Sequence, residues 1–537
     1  MKVDRVLPYA VNRLWTQTCS AGHSRFLNSL KTPRSVQEQY LQKLLQNNSS
    51  TRYGKSHRFP NVSSVRDFQR IVPLTRYEDY LPYIEDIALG KSSVLTHERV
   101  ILFQPTSGTT SASKLIPYTA SLKREYQRAV APWIYHLYGR VPGLTEGRAY
   151  WSISPEVERE KFSGCIPVGF ASDSEYLGGP GRMLYNLVTV GQGKFPPGIS
   201  TDDFWDTTLL DLLSAGDLAL ISVWSPTFLL ILVKRLTENW LKIICRLEGS
   251  DIKGAHTRAG EIRHILEVQG IKFAAIWPNL KVISCWTHGT SENYIDEIRR
   301  YFPGVEIEGK GLVATEAFVS LPFLAGKDPL LAVNSHFFEF RDMENGKIFL
   351  AHDLREGGVY SVVVTTGGGL YRYELDDIVR VTGFAGGTPA IRFISKNSVS
   401  DMFGEKLNAE HVARSTATAF AECGIEPGFA LVSPFRSTDG KPCYSISFRH
   451  DKKADENARL LSQKLEHLLL ENFHYAYCRR LGQLGPLRVF IIEDEAPELV
   501  FLEEMVIRGQ KIGEVKPSIL DRQFGWEKRF KGHFVDA

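Results

Sequence analysis

From about residue 95 onward, short apolar runs alternate with amphipathic stretches, and this alternation constrains the fold more than any other feature of the chain. VILFQPTSG reads as strand and turn, SLKREYQRAVAPWIYHLYG as a long helix, KVISCW as a strand, and SENYIDEIRRYF as a helix opened by Ser291. Such alternation predicts an α/β chain with parallel sheets. Between residues 359 and 393 the pattern turns strand-rich (VYSVVVTT, LYRYELDDIVRVTGF, PAIRFIS), while the first fifty residues carry helical periodicity, as in SVQEQYLQKLLQNN. After Ser395, KNSVSDMFGEKLN reads as a polar connector. A helix from Ala409, strands at FALVSP and CYSISFRH, a helix from Ala454 and a strand at LRVFIIED then predict a small α+β unit. At 537 residues the chain exceeds one ordinary core, so two or more lobes are expected. The expected division is a large N-terminal domain over residues 1–395, with β-sheets flanked by helices, and a small mobile α+β lid over residues 396–537.

Several function classes are disfavoured. Basic residues number 64 and acidic residues 61, for a net charge of +3, whereas a dedicated nucleic-acid binder usually carries a basic excess. The apolar run LALISVWSPTFLLILV is shorter than the ~20 residues of a spanning helix. It reads instead as a buried strand feeding a core helix, with Ser225 as N-cap and Pro226 in the first turn. Charges at Lys2, Asp4, Arg5 and Arg13 interrupt any leader-like apolar stretch. Seven scattered cysteines without a CxxC pair suggest neither a disulfide framework nor a zinc ribbon, which fits a reducing cytoplasm.

The segment QPTSGTTSASKLIPY, residues 104–118, packs hydroxyls around one glycine. A strand running through such a loop into a helix is the geometry in which backbone N–H groups converge on an anion. Gly108 permits close approach, Thr106, Ser107, Thr109 and Thr110 supply hydroxyl donors, and Lys114 adds charge. The ATPase phosphate-loop pattern fails, because Ser113 and Leu115 stand where it needs glycine and Ser or Thr. A surface Ser/Thr turn is the plain alternative.

The loop resembles the phosphate loop of adenylate-forming enzymes, in particular the Gretchen Hagen family of acyl-acid amido synthetases, with the family's glycines reduced here to Ser111-Ala112-Ser113. The resemblance runs from about residue 35 to 520 and extends to three further stretches. In EGKGLVATEA, residues 308–317, it implies Thr315 at the adenylate phosphate and Glu316 as a catalytic carboxylate and Mg²⁺ ligand. In AVNSHFFEF it places Phe337 beside the adenine, where a core phenylalanine is the alternative. In YRYELDDIVRVTGF it assigns ribose binding to Asp377, with Asp376 where glycine is usual; an exposed strand edge is the other reading of this pair. RGQKIGEVK carries the family's closing lysine, Lys516, a mobile charge for the carboxylate and α-phosphate.

CWTHGTSENY falls where the family places a turn at the acyl pocket, so His288, Trp224 and Arg128 are candidate acid-binding residues, with Tyr126 and Trp133 beside them. No Ser-His-Asp pattern gives His288 partners, and Arg124 and Arg128 read equally as solvated helix charges. The family implies ATP and Mg²⁺ as cofactors, a small carboxylic acid and an amine or amino acid as substrates, and Thr109, Glu316 and Lys516 as catalytic groups. Transfer to a thiol such as coenzyme A, or a non-catalytic binding protein on the same fold, are the competing expectations.

Overall fold

The computed structural model describes residues 6–106, 114–152, 162–169, 179–191, 199–252, 254–324, 327–396, 399–400, 405, 407–437, 440–449 and 455–535. It divides into two compact units. The larger comprises residues 1–375, 379–393 and 511–514, the smaller residues 376–378, 394–510 and 515–537.

The larger unit opens with two helices, α1 (Val6–Ser29) and α2 (Pro33–Asn47). Strands β1 (Leu102–Pro105) and β2 (Leu115–Tyr118) then form an antiparallel hairpin, and α3 (Ala120–Arg140) follows, capped by the Thr119 hydroxyl on the Leu122 N–H. A five-stranded sheet comes next, from β3 (Arg148–Trp151), β4 (Thr189–Val190), β5 (Leu218–Ser222), β6 (Val282–Cys285) and β7 (Glu306–Gly309). Its order is β4-β3-β5-β6-β7, with every pairing parallel. The two central strands, LALIS and VISC, are buried at every position, which explains why they read as continuous apolar runs and not as alternation. Between β5 and β6, α4 (Pro226–Glu248) takes Ser225 as N-cap and Pro226 at its first position. Among the described residues no helix is long and apolar enough to cross a membrane.

A second sheet of this unit has seven strands: β8 (Ser320–Leu321), β9 (Leu330–Leu331), β10 (Phe337–Asp342), β11 (Ile348–Leu350), β12 (Val359–Thr365), β13 (Tyr373–Ala385) and β14 (Thr388–Lys396). Their order is β8-β9-β14-β13-β12-β10-β11. One hydrophobic cluster, including Phe26, Phe68, Tyr118, Leu122, Phe337 and Val364, runs from the N-terminal helices into this sheet. Each such side chain, removed from water, contributes roughly 1.5–3 kcal/mol.

In the smaller unit, α5 (Ala409–Cys423) precedes strands β15 (Phe429–Arg436) and β16 (Pro442–Arg449), followed by α6 (Asp455–Leu469), β17 (Arg488–Ile492) and β18 (Gly532–Phe534). The four strands pair in sequence order, with only β16–β17 parallel. Val412, Phe420, Tyr444, Ile446, Leu461 and Leu465 supply its core.

Two local expectations need correction. The phosphate-loop candidate does not run from strand into helix. Thr106 N–H donates to the Lys114 carbonyl at 2.9 Å, Lys114 leads into β2, which pairs antiparallel with β1, and α3 starts only after β2. Ser291 does not open an α-helix. It lies inside a 3₁₀ segment, Gly289–Tyr294, and the helix Ile295–Tyr301 begins beyond it without a side-chain cap.

Candidate active site

Of the loop residues, Ser107, Gly108, Thr109 and Thr110 lie outside the described residues. Its two ends are defined. Thr106 closes the hairpin ladder, and the Lys114 ammonium lies 5.7 Å from the centre of the Tyr77 ring and 3.5 Å from the Tyr373 hydroxyl. Tyr77 in turn accepts the Leu115 N–H at 2.7 Å. Burial raises the Tyr77 phenol pKa, and the charges of Glu78 and Glu316 push in the same direction. The Glu316 carboxylate is therefore felt at the base of the hairpin.

Glu316 is not at a strand end, as its motif suggested. It occupies a tight bend closed by the Val313–Phe318 bridge and by Ala314 N–H on the Ala317 carbonyl at 2.9 Å. The bend is held from outside. Tyr118 and Tyr126 each donate a hydroxyl to the Thr315 carbonyl at 3.0 Å, and Tyr126 also reaches the Ala314 carbonyl. Phe318 N–H donates to His336 Nε2 at 3.0 Å, which leaves the ring proton on Nδ1, 3.0 Å from Glu125 Oε2. Glu125 also accepts the Tyr40 hydroxyl at 2.7 Å and the Gly367 N–H at 2.9 Å. A fully bonded buried network of this kind fixes backbone position, so the bend bearing Thr315 and Glu316 is preorganised. None of these supporting residues was assigned this task from sequence, because their periodicity reads as ordinary core.

The carboxyl ends of the parallel strands carry the second half of the larger unit's chemistry. Lys310 directly follows β7, Trp151 ends β3, Ser222 ends β5, and Trp224 lies just beyond it. The Lys310 ammonium sits over three indole rings, with centroids at 5.1 Å (Trp133), 5.5 Å (Trp151) and 4.9 Å (Trp224), and it donates to Ser222 Oγ at 2.6 Å. Lys310 is 7% exposed, and burial lowers its pKa to about 8 against the opposing charge of Glu308. Glu308 is held by Trp133 Nε1 at 2.8 Å and Arg140 at 3.3 Å, and burial raises its pKa. The flanking glycines set this position. A Cβ on Gly309 would lie 2.3 Å from Thr287 Oγ1, and one on Gly311 would lie 1.8 Å from the Ser320 carbonyl oxygen. Lys310 was missed from sequence, although a lysine between two glycines after a strand was the available signal.

Trp224 thus packs against the Lys310 ammonium. His288 Nε2 lies 3.1 Å from Asp328 Oδ1, and Asp328 also accepts Arg392 Nε at 3.2 Å to each carboxylate oxygen. The imidazole therefore has the carboxylate partner that no sequence pattern supplied. Burial lowers its pKa, while Asp328 opposes that shift. Arg128 is exposed on α3, whereas Glu125, Tyr126 and Trp133 of that helix turn inward, and the Arg128 charge acts on the Tyr40 phenol. Phe337 is corrected. At 1% exposure, with its ring edge-on to Phe68 at 6.0 Å, it is a core residue and has no face to offer an adenine.

Two of the expected residues lie in the smaller unit. Asp377 is 1% exposed, and among the described residues its Oδ1 takes no hydrogen bond; the Lys396 ammonium is 3.9 Å away. Asp376 has φ +60°, the left-handed region that favours glycine, in keeping with its standing where glycine is usual. Lys516 is half-buried. The segment leading to it is anchored by Arg508, which donates to Glu504 Oε1 at 2.9 Å and to Asp521 Oδ2 at 2.6 Å and lies over the Trp526 ring.

Comparison with known proteins bears on this arrangement. The GH3 family N-terminal domain matches residues 22–307, and the GH3 family central domain matches residues 329–396. A probable indole-3-acetic acid-amido synthetase GH3.11 of Oryza sativa subsp. japonica is 25% identical over 544 residues, covering 90% of each chain. The 4-substituted benzoates-glutamate ligase GH3.12 of Arabidopsis thaliana is 22% identical, covering 90% of this chain and 92% of that protein. The solved structure of the AtGH3.15 acyl acid amido synthetase in complex with 2,4-DB shares the fold, with a TM-score of 0.79 at 19% identity over 96% of this chain and 95% of that one.

Proposed function

The chain belongs to the GH3 family, and from that premise we propose that it activates a small carboxylic acid with ATP and passes the acyl group to an amine, foremost that of an amino acid. In the first step a carboxylate oxygen attacks the α-phosphorus, forming an acyl-adenylate and releasing pyrophosphate. In the second, the amine nitrogen attacks the acyl carbon, and AMP leaves as the amide bond forms.

The observation that carries this reading is Asp377, a carboxylate 1% exposed whose Oδ1 accepts no hydrogen bond among the described residues. A buried acceptor of this kind costs stability unless a ligand completes it, and a pair of ribose hydroxyls is the donor set the role requires. Supporting it, Thr315 and Glu316 stand in a bend fixed by Tyr118, Tyr126 and His336, so groups facing the α-phosphate need little reorganisation. Lys114 and the hydroxyls of residues 106–110 suit the triphosphate, and Lys516 suits the charge that develops during adenylation.

Among the described residues no cluster of three or more His, Cys, Asp or Glu could hold a metal ion by itself. A single carboxylate nevertheless fits Mg²⁺, which is commonly held by one or two carboxylates together with substrate phosphates and water. Glu316 would be that ligand, and the ion would neutralise phosphate oxygens as pyrophosphate departs. The seven free cysteines suit a reducing compartment such as the cytoplasm.

The test is exchange of labelled pyrophosphate into ATP across a panel of acids, then mass spectrometry of products formed with amine or thiol acceptors. Acid-dependent exchange with an amide product is expected. No exchange with any acid refutes adenylation, and a thioester as sole product refutes amide formation. Asp377→Ala is expected to weaken nucleotide binding roughly ten- to hundredfold, as for loss of hydrogen bonds to a charged group. Calorimetric titration with AMP measures it, and an unchanged Kd removes Asp377 from the nucleotide.

A further inference from the structure

One polar cluster in the larger unit takes no part in the reaction described above. Trp151, which ends β3, points towards the Lys310 ammonium, so its neighbour Tyr150 points to the opposite face of the sheet. The helix Thr201–Ser214 brings Thr208 and Asp211 to that face, one turn apart. Burial raises the pKa of the Tyr150 phenol, which is 4% exposed; the charge of Asp211 adds to the rise, and the hydroxyls of Thr208 and Ser152 oppose it. Four oxygen-bearing side chains thus converge across the sheet from the Lys310 cage.

Their oxygens lack protein partners. Thr208 and Ser152 are 1% and 6% exposed, yet among the described residues neither Thr208 Oγ1 nor Ser152 Oγ makes a hydrogen bond. Orphaned buried hydroxyls of this kind cost stability unless something completes them. Asp211 is half-buried, and burial is the one influence on its carboxyl, raising its pKa to about 6 with no basic group opposing it. Gly191 follows β4 directly with φ +67°, and a Cβ there would lie 2.7 Å from Asp211 Oδ2. Only glycine lets the backbone approach that carboxylate so closely.

We propose that Asp211, Thr208, Tyr150 and Ser152 form a binding site for a monovalent inorganic cation, which ties the helix Thr201–Ser214 to the ends of β3 and β4. The chemical class follows from the donor set. All four groups offer oxygen, the donor type that hard cations take. A carboxylate repels an anion. One negative charge is neutralised by one positive charge, whereas a divalent ion would leave excess charge in the interior. The site goes beyond the amido synthetase reading and does not depend on it, because its readouts are melting temperature and X-ray scattering.

The experiment melts the full chain at constant ionic strength in the chlorides of potassium, sodium, methylammonium and tetramethylammonium. Potassium or sodium at 100 mM is expected to raise Tm by at least about 2 °C over tetramethylammonium, the shift for a ligand at tenfold its Kd; comparing the two ions identifies the preferred one. Asp211→Asn should abolish the difference between salts, and Thr208→Val should reduce it. A second measurement needs no variant: crystals soaked in rubidium chloride should show anomalous scattering from an ion in contact with Asp211 and Thr208. Equal Tm in all four salts, a difference retained in full by Asp211→Asn, or no rubidium at Asp211 overturns the proposal. Stabilisation by methylammonium alone also overturns it, in favour of an amine.

Discussion

Replacing Lys516 by alanine is expected to slow acid-dependent pyrophosphate exchange by about 10²–10³-fold, the usual cost of removing one group that stabilises developing charge. Folding should change little. The segment before Lys516 is held by Arg508, paired with Glu504 and Asp521 and stacked on Trp526, while Trp526 Nε1 itself donates to Asp521 at 3.1 Å. Val515, 4% exposed, adds an apolar anchor immediately before the lysine. Truncating the half-buried side chain beyond Cβ disturbs none of these contacts. Calorimetry with ATP and a thermal melt should therefore match the wild type while exchange collapses. Exchange within twofold of the wild type would remove Lys516 from the first step.

The second large effect concerns stability. Arg372 enters β13 with φ +50°, a left-handed conformation that costs a non-glycine residue of order 1–3 kcal/mol. It is kept there by its side chain. Nε and Nη2 donate to the two oxygens of Glu339 at 2.9 and 3.1 Å, and Nη1 reaches the carbonyls of Gln69 at 2.9 Å and Val72 at 2.7 Å. Both partners are almost fully buried, at 6% and 1% side-chain exposure. Removing one member of such a pair leaves the other charge unpaired in the interior, at a cost of about 3–5 kcal/mol. Arg372→Met should lose about that much in the first urea transition, and Arg372→Met with Glu339→Met should recover part of it. A single variant as stable as the wild type would mean that water reaches Glu339.

Sequence alone carried the alternation of strands and helices into a parallel sheet, since LALIS and KVISC lie between amphipathic helices of ordinary length. It also singled out Glu316 and Asp377 as candidates, because acids next to strand residues are costly without a task. What it did not carry depends on distance along the chain. His288 finds Asp328, and Glu125 finds His336, across separations that no local spacing encodes. The tryptophan cage gathers rings from three parts of the chain around one lysine. Phe337 failed for a different reason. A motif position names a backbone site, and only packing decides whether a ring is interior or a charge faces solvent.

The β1–β2 hairpin has one more implication. A loop that springs from two paired strands can change length without shifting a helix, and each doubling of length costs only about 0.6 kcal/mol in closure entropy. Thr106 and Lys114 are thus the fixed points between which the connection from β1 to β2 can be exchanged. Glycine-richer or longer versions from other members of the family can be grafted between Thr106 and Lys114 to tune nucleotide grip while the rest of the molecule stays as it is.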